Sequence, residues 1–282
     1  MRLRTQGDYK AFFTDSHKTI RFTSAPPLTP ELLDIAINNK CLANCSYCYT
    51  NALKSGVNFD NITDKAIEIW SDMSLNDRPF QIAIGGAGEP TLHPDFYNFV
   101  KTVKSLEIVP NYTTNGMHLT DIVLEATKKY CGGVALSWHP HIEKIYHKAV
   151  IVLDNVKTKL NTHVIIGTEQ SFEDLKLLYD MYKEIFDYFV ILPYQIAGRA
   201  VTINTIEVWL KTFKWIAQKP EKEQQKFAFG ALFYDFLITN HLPLNISIYQ
   251  HHIYSGYMML DANYKTIYKS SYELTEKTIN CN

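Results

Sequence analysis

No apolar run in this chain approaches the ~20 residues that a membrane span requires. The opening stretch MRLRTQGDYKAFF also lacks the apolar centre of a secretory signal. No membrane partner is expected, and a cytoplasmic location is. Charge of one sign is missing too: 28 Lys and Arg stand against 29 Asp and Glu, a formal net charge of −1. Such a balance supplies no long-range field for a polyanion, so nucleic acid is not indicated as a partner. Cysteine is scarce and odd in number, five in 282 residues. That is a poor disulfide framework. Internal repeats and low-complexity tracts are absent.

Hydrophobic residues make up 46% of the chain, enough for a sizeable core. They are arranged as short apolar runs that alternate with helical patterns. LLDIAIN (32–38), FQIAIGG (80–86), IVPNYTTNG (108–116), GVALSW (133–138), THVIIG (162–167) and YFVILP (188–193) read as six strands covered on both faces. Helices are expected over 61–73, capped by Thr63 or Asp64, and over 93–106, with Pro94 in the first turn. Others are expected over 121–130, 142–160, 171–186 with a Ser171 cap, and 202–218. Repeated β-α units imply a parallel sheet with right-handed crossovers, either doubly wound or an incomplete barrel. Residues 1–30 are expected to be an irregular or hairpin extension, 31–218 the α/β unit, and 219–282 a small appendage serving as lid or substrate-binding region. NISIYQHHIY (245–254), YMMLD (257–261) and TIYKS (266–270) read there as strands, and ANYK (262–265) as a turn.

The chemistry concentrates in NNKCLANCSYCYTN (38–51), where Cys41, Cys45 and Cys48 lie within eight positions. Clustered thiolates suit soft or borderline metals. Zinc would need a fourth ligand, such as His93 or His139, and the protein would then be a non-catalytic, metal-stabilised binding module. A cubane [4Fe–4S] cluster normally takes four thiolates, so three would leave one iron open for chemistry. The loop follows the first strand at its C-terminal end, where ligand sites of parallel α/β folds gather.

The C-x3-C-x2-C spacing, with Tyr47 before the last cysteine, resembles the radical S-adenosylmethionine (SAM) superfamily. GGAGEPTLHPDF (85–96), YTTNG (112–116) and Ser137 resemble its segments after the second, third and fourth strands, and the likeness runs over residues 32–199. It implies a partial (β/α)6 TIM-like barrel, oxygen sensitivity and a one-electron donor such as flavodoxin or ferredoxin. Cys41, Cys45 and Cys48 would each bind an iron, and the fourth iron would chelate the methionine part of SAM. Tyr47 would contact adenine, and Gly86, Gly88 and Glu89 the amino group. Thr114, Asn115 and Ser137 would approach the ribose or carboxylate. The reaction implied is reductive cleavage of SAM to a 5′-deoxyadenosyl radical, which takes a hydrogen atom from the substrate. The sixth-strand segment LPYQIAGRA (192–200) resembles members that modify peptides or proteins; a nucleotide or nucleic acid is the alternative substrate.

His139, His141 and Arg199 are the remaining candidates for catalysis: the histidines for substrate contact or proton transfer, the arginine for an anionic group. Surface-loop positions are the default reading for the histidines, and helix capping or loop anchoring explains the arginine equally well. Cys131 reads as a buried small hydrophobe and Cys281 as part of a terminus. With two cysteines left over, no second protein-ligated cluster is expected. Tyr249, Tyr254, Tyr257, Tyr264 and Tyr268 suggest a packed β surface or a peptide-binding edge.

Overall fold

The structure, a computed structural model, describes residues 1–23, 25–230, Phe233, Phe236 and 254–268. The N-terminal extension is more regular than its sequence suggests. It forms an antiparallel sheet of β1 (Arg2–Gln6), β2 (Tyr9–Phe13) and β3 (Thr19–Arg21). Alternation puts Tyr9, Ala11 and Phe13 on one buried face.

All six expected strands form, and each leads to a helix. They are β4 (Leu32–Ala36), α1 (Ile62–Trp70), β5 (Gln81–Ile84), α2 (Phe96–Ser105), β6 (Val109–Thr114), α3 (Asp121–Tyr130), β7 (Gly133–Ser137), α4 (Glu143–Val156), β8 (Lys159–Ile166), α5 (Glu169–Tyr182), β9 (Tyr188–Pro193) and α6 (Ile206–Ala217). After the short α7 (Glu221–Gln224) come β10 (Phe227–Phe229) and β11 (Ser255–Met259). Among the described residues the sheet order is β10-β9-β8-β7-β6-β5-β4-β11, with every pairing parallel. The sheet curls into a partial TIM-like barrel.

The two faces of each strand differ. Outward residues such as Leu33, Ile35, Ile82, Ile84, Val134, Leu136, Val164 and Ile166 share one core with Trp70, Phe99, Val103, Ala126, Leu153 and Leu175 of the helices. Each large apolar side chain so buried contributes roughly 1.5–3 kcal/mol. The inward positions are less buried: Asp34 is exposed, and Gln81, Ala83, Asn111, Thr113, Ser137, Asn161 and His163 are half-buried and face the lumen.

Several local expectations need correction. Helix α1 is capped by Asn61 in the left-handed conformation, with Thr63 and Asp64 inside the first turn. Helix α2 starts at Phe96 behind an Asp95 cap, so Pro94 precedes it. Thr168, not Ser171, caps α5; Ser171 completes a reciprocal capping box. Helix α4 stops at Val156 because Lys157 turns left-handed, which lets β8 begin at Lys159. Helix α6 begins four residues later than its pattern suggests, at Ile206.

The segment after 218 is not set apart from the sheet. β10 pairs with β9, and β11 pairs with β4, so this segment adds a strand at each end. ANYK (262–265) is a turn, as expected, closed by reciprocal backbone bonds of 2.8 Å between Tyr257 and Tyr268. It docks on α1 through Tyr264 to Glu68 (2.7 Å) and Lys65 to the Leu260 carbonyl (2.9 Å). The strand expected over 245–254 lies outside the described residues apart from Tyr254, as do Tyr249, Cys281 and the end of TIYKS.

The N-terminal sheet covers the N-terminal ends of the barrel strands. Tyr9, Ala11 and Phe13 pack on Phe80 and Val109. Lys159 Nζ donates to the Ser16 carbonyl, and Arg4 Nη1 donates to that of Pro30 at 3.1 Å. Buried Glu31 clamps it, accepting from the Tyr9 hydroxyl and from Arg21 Nε at 2.8 Å.

Candidate functional site

The cysteine loop leaves β4 at the C-terminal end of the sheet, opposite the N-terminal cover. Its backbone is held from several sides. Cys41 N donates to the Leu53 carbonyl (2.9 Å), and Cys48 N to that of Cys45 (3.3 Å). Arg199 donates from Nε to the Cys45 carbonyl (3.0 Å) and from both Nη atoms to that of Ala52 (3.1 Å). Its own N–H donates to the Cys48 carbonyl (3.0 Å). The guanidinium therefore braces the loop. Preceding it, Gly198 has φ +60°, and a Cβ there would stand 2.5 Å from the Cys48 and Tyr49 carbonyl oxygens. Only glycine fits both demands.

Buried Glu89 ties together three loops. Its Oε1 accepts from Thr91 Oγ1 (2.7 Å), Thr114 Oγ1 (2.8 Å) and Thr91 N (3.3 Å), and its Oε2 accepts from Asn115 N (2.8 Å). Its N–H donates to the Lys40 carbonyl (2.8 Å), and its carbonyl accepts from Asn38 Nδ2 (2.8 Å). Burial raises its pKa, and these four donors pull the other way. Oε2, with one donor, is the oxygen with room for another. Gly88 packs against Asn38, and a Cβ there would stand 2.7 Å from the Lys40 carbonyl oxygen. Gly86 has φ +84°, and its carbonyl accepts from the Tyr49 hydroxyl at 3.0 Å.

The other expected residues lie at this same end. Asn115 Nδ2 donates to Cys41 Sγ at 3.5 Å. His139 Nδ1 is 2.8 Å from the Tyr47 hydroxyl and 3.6 Å from Cys45 Sγ. Burial and then His141 push His139 down to about 4, so it is a neutral acceptor for Tyr47 at pH 7. His141 Nε2 bonds the Ala43 carbonyl at 2.7 Å, another brace on the cysteine loop. His93 bonds the Phe59 carbonyl at 2.9 Å. Ser137 ends β7, in register with His163. Cys131 caps the end of α3, at the opposite end of the barrel, where burial pushes its thiol up to about 12.

Sequence reasoning missed Asn38, Thr50, Thr91 and His118. Thr50 Oγ1 links Cys48 Sγ (3.4 Å) to the Ala87 carbonyl (2.9 Å), and His118 Nδ1 bonds the Thr91 carbonyl (2.7 Å). Their signal was proximity to the motifs, within three residues in each case.

The donor set is three thiols with an amide N–H on one sulfur, held by close backbone approaches at Gly88 and Gly198. Burial, then the neighbouring thiols, push Cys45 up to about 12, so binding a metal must displace protons. Among the described residues no three His, Cys, Asp or Glu side chains converge on a single ion. A cubane takes one sulfur per iron, so its ligands need not converge. The residues fit such a cluster. A surface groove of about 620 Å³, between 58–64 and 93–102, borders none of these cysteines. No helix among the described residues is long and apolar enough to cross a membrane.

Comparison with known proteins agrees with this geometry. A curated relative, the tungsten-containing aldehyde ferredoxin oxidoreductase cofactor-modifying protein of Pyrococcus furiosus, is 31% identical over 93 residues, 33% of this chain and 26% of its own length. Streptococcus suis SuiB bound to its precursor peptide SuiA superposes with a TM-score of 0.68 at 16% identity, over 90% of this chain and 62% of SuiB. The structure of anSMEcpe with bound AdoMet gives 0.63 at 16% identity, over 89% of this chain and 76% of that one. The chain thus spans about a quarter of the curated relative and about three fifths of SuiB. The family model "Radical SAM superfamily" matches residues 35–194. Cysteine loop, glycine-rich loop and barrel converge with that match: the chain belongs to the radical SAM superfamily, enzymes that work with an iron–sulfur cluster and SAM.

Proposed function

We propose that Cys41, Cys45 and Cys48 hold a single [4Fe–4S] cluster with one open iron, and that the enzyme abstracts hydrogen from a peptide or protein. When bound and reduced, the cluster and SAM supply a 5′-deoxyadenosyl radical. The chain's part is to hold and orient. Arg199 and His141 fix the cysteine loop, and Asn115 supports the Cys41 sulfur. Glu89 locks the glycine-rich loop to the Thr114–Asn115 turn, with Oε2 available to an ammonium group. Tyr47, fixed by His139, offers its ring to adenine, and Ser137 faces the lumen from beneath. The carrying observation is that these loops meet around three thiols at one mouth of the barrel. Cys131, at the other end, supports one cluster per chain.

The peptide reading takes support from SuiB, whose structure holds a precursor peptide. A small cofactor as substrate is the second reading, favoured by the name of the curated relative. The electron would come from a small donor such as a flavodoxin or ferredoxin. The test is anaerobic reconstitution, reduction and addition of SAM. About four irons per chain and 5′-deoxyadenosine are expected, with none of the latter from Cys45→Ala. About eight irons, or an active Cys45→Ala, would overturn the reading.

A further inference from the structure

In a closed TIM barrel the interior is filled by branched apolar side chains. Here the inner faces of β4 to β8 carry polar groups instead, and two acceptors among them have no donor among the described residues. Asp34, in the middle of β4, is flanked in register by Ala83 on β5 and Tyr257 on β11. Its side chain is exposed to water and makes no hydrogen bond or ion pair among the described residues. Asn161 Oδ1 on β8 is buried and has no partner among the described residues. Two residues along, His163 also faces the lumen, and burial pushes it down to about 4, so it carries no positive charge at pH 7.

Four cations near the barrel ends are engaged elsewhere. Lys159 donates to the Ser16 carbonyl, Arg199 to the cysteine-loop carbonyls, Arg21 to Glu31, and Arg4 to the N-terminal cover. A carboxylate on β4 and an amide oxygen on β8 thus face the lumen with no ion pair or hydrogen bond from the described residues. A buried acceptor without a donor costs about 1–3 kcal/mol, which an incoming N–H group would recover.

We propose that the lumen recognises a cationic nitrogen group of the substrate, a guanidinium or ammonium: Asp34 pairs with the charge and Asn161 Oδ1 accepts a further N–H. This rests on the reading that substrate enters the lumen, and it names the side-chain chemistry the site selects. Burial lifts the Asp34 carboxyl to about 7, and a bound cation would draw it back toward the ionised form.

The test uses reconstituted protein without reductant and three fragments of matched shape: propylguanidinium, neutral propylurea and anionic butyrate. Binding is read by ligand-observed NMR. The guanidinium should bind at least tenfold tighter than the urea, and butyrate weakest. Asp34→Asn should erase that preference while leaving the urea affinity within twofold. Asp34→Ala, judged folded by its melting curve and cluster absorbance, should behave the same. Equal binding of guanidinium and urea, or a preference that survives in both variants, would overturn the proposal. The 5′-deoxyadenosine assay on the same preparation reports separately on the proposed reaction, because no fragment measurement requires SAM cleavage.

Discussion

A methyl group on Gly198 would collide with the two carbonyls that end the cysteine triplet, in a backbone conformation that costs other residues about 1–3 kcal/mol. Gly198→Ala should therefore shift the loop rather than the barrel. The expected result is a near-normal melting temperature before cluster loading and a clearly lower iron content after reconstitution, measured colorimetrically. Glu89→Gln replaces an acceptor with a group that carries two donors of its own, opposite the Thr91, Thr114 and Asn115 donors. A loss of about 2–3 kcal/mol is expected, read by denaturant unfolding. Asp34 behaves oppositely. Its ordinary value is 3.8 and its folded value about 7, so its contribution to stability is lost as pH rises from near 4 through 7. Asp34→Asn should be more stable than the parent at pH 8 and equal to it near pH 4. Discounted for water in the lumen, the gain at pH 8 is on the order of 1 kcal/mol, or about 2–4 °C in Tm. The triplet itself was legible because three thiols at that spacing suit few purposes. Asp34 and His163 were legible in principle, as polar residues inside strand-like runs, but which face they occupy depends on the curl of the sheet.

At the level of elements, the six β-α units could be read from apolar runs and helical periodicity because both signals are local. Helix starts were harder, since the residue that caps depends on the chain's direction of entry. Thr168 and Ser171 look alike in sequence, and both oxygens work in the capping box. β10 was not read as a strand, and β11, read as YMMLD, was assigned to an appendage for a different reason: it pairs with a strand more than 200 positions away, and no nearest-neighbour pattern encodes such a partner. The N-terminal sheet hangs on Glu31, which joins β2, β3 and the entry to β4. Glu31→Ala leaves Arg21 and Tyr9 without their acceptor beneath Tyr254. It should cost about 3 kcal/mol, lower Tm by roughly 10 °C and raise hydrogen exchange in residues 2–21 ahead of the barrel strands.

Across the whole molecule, one end of the barrel is covered by the first three strands, and the other carries the thiols and the loops tied by Glu89. Superposition on SuiB over 90% of this chain shows that the architecture is shared even where 16% of residues match. The stopper at the base has a corollary for access. With the base shut, a guest in the lumen must come and go by the thiol-bearing mouth or, among the described residues, by the gap where β10 and β11 do not pair.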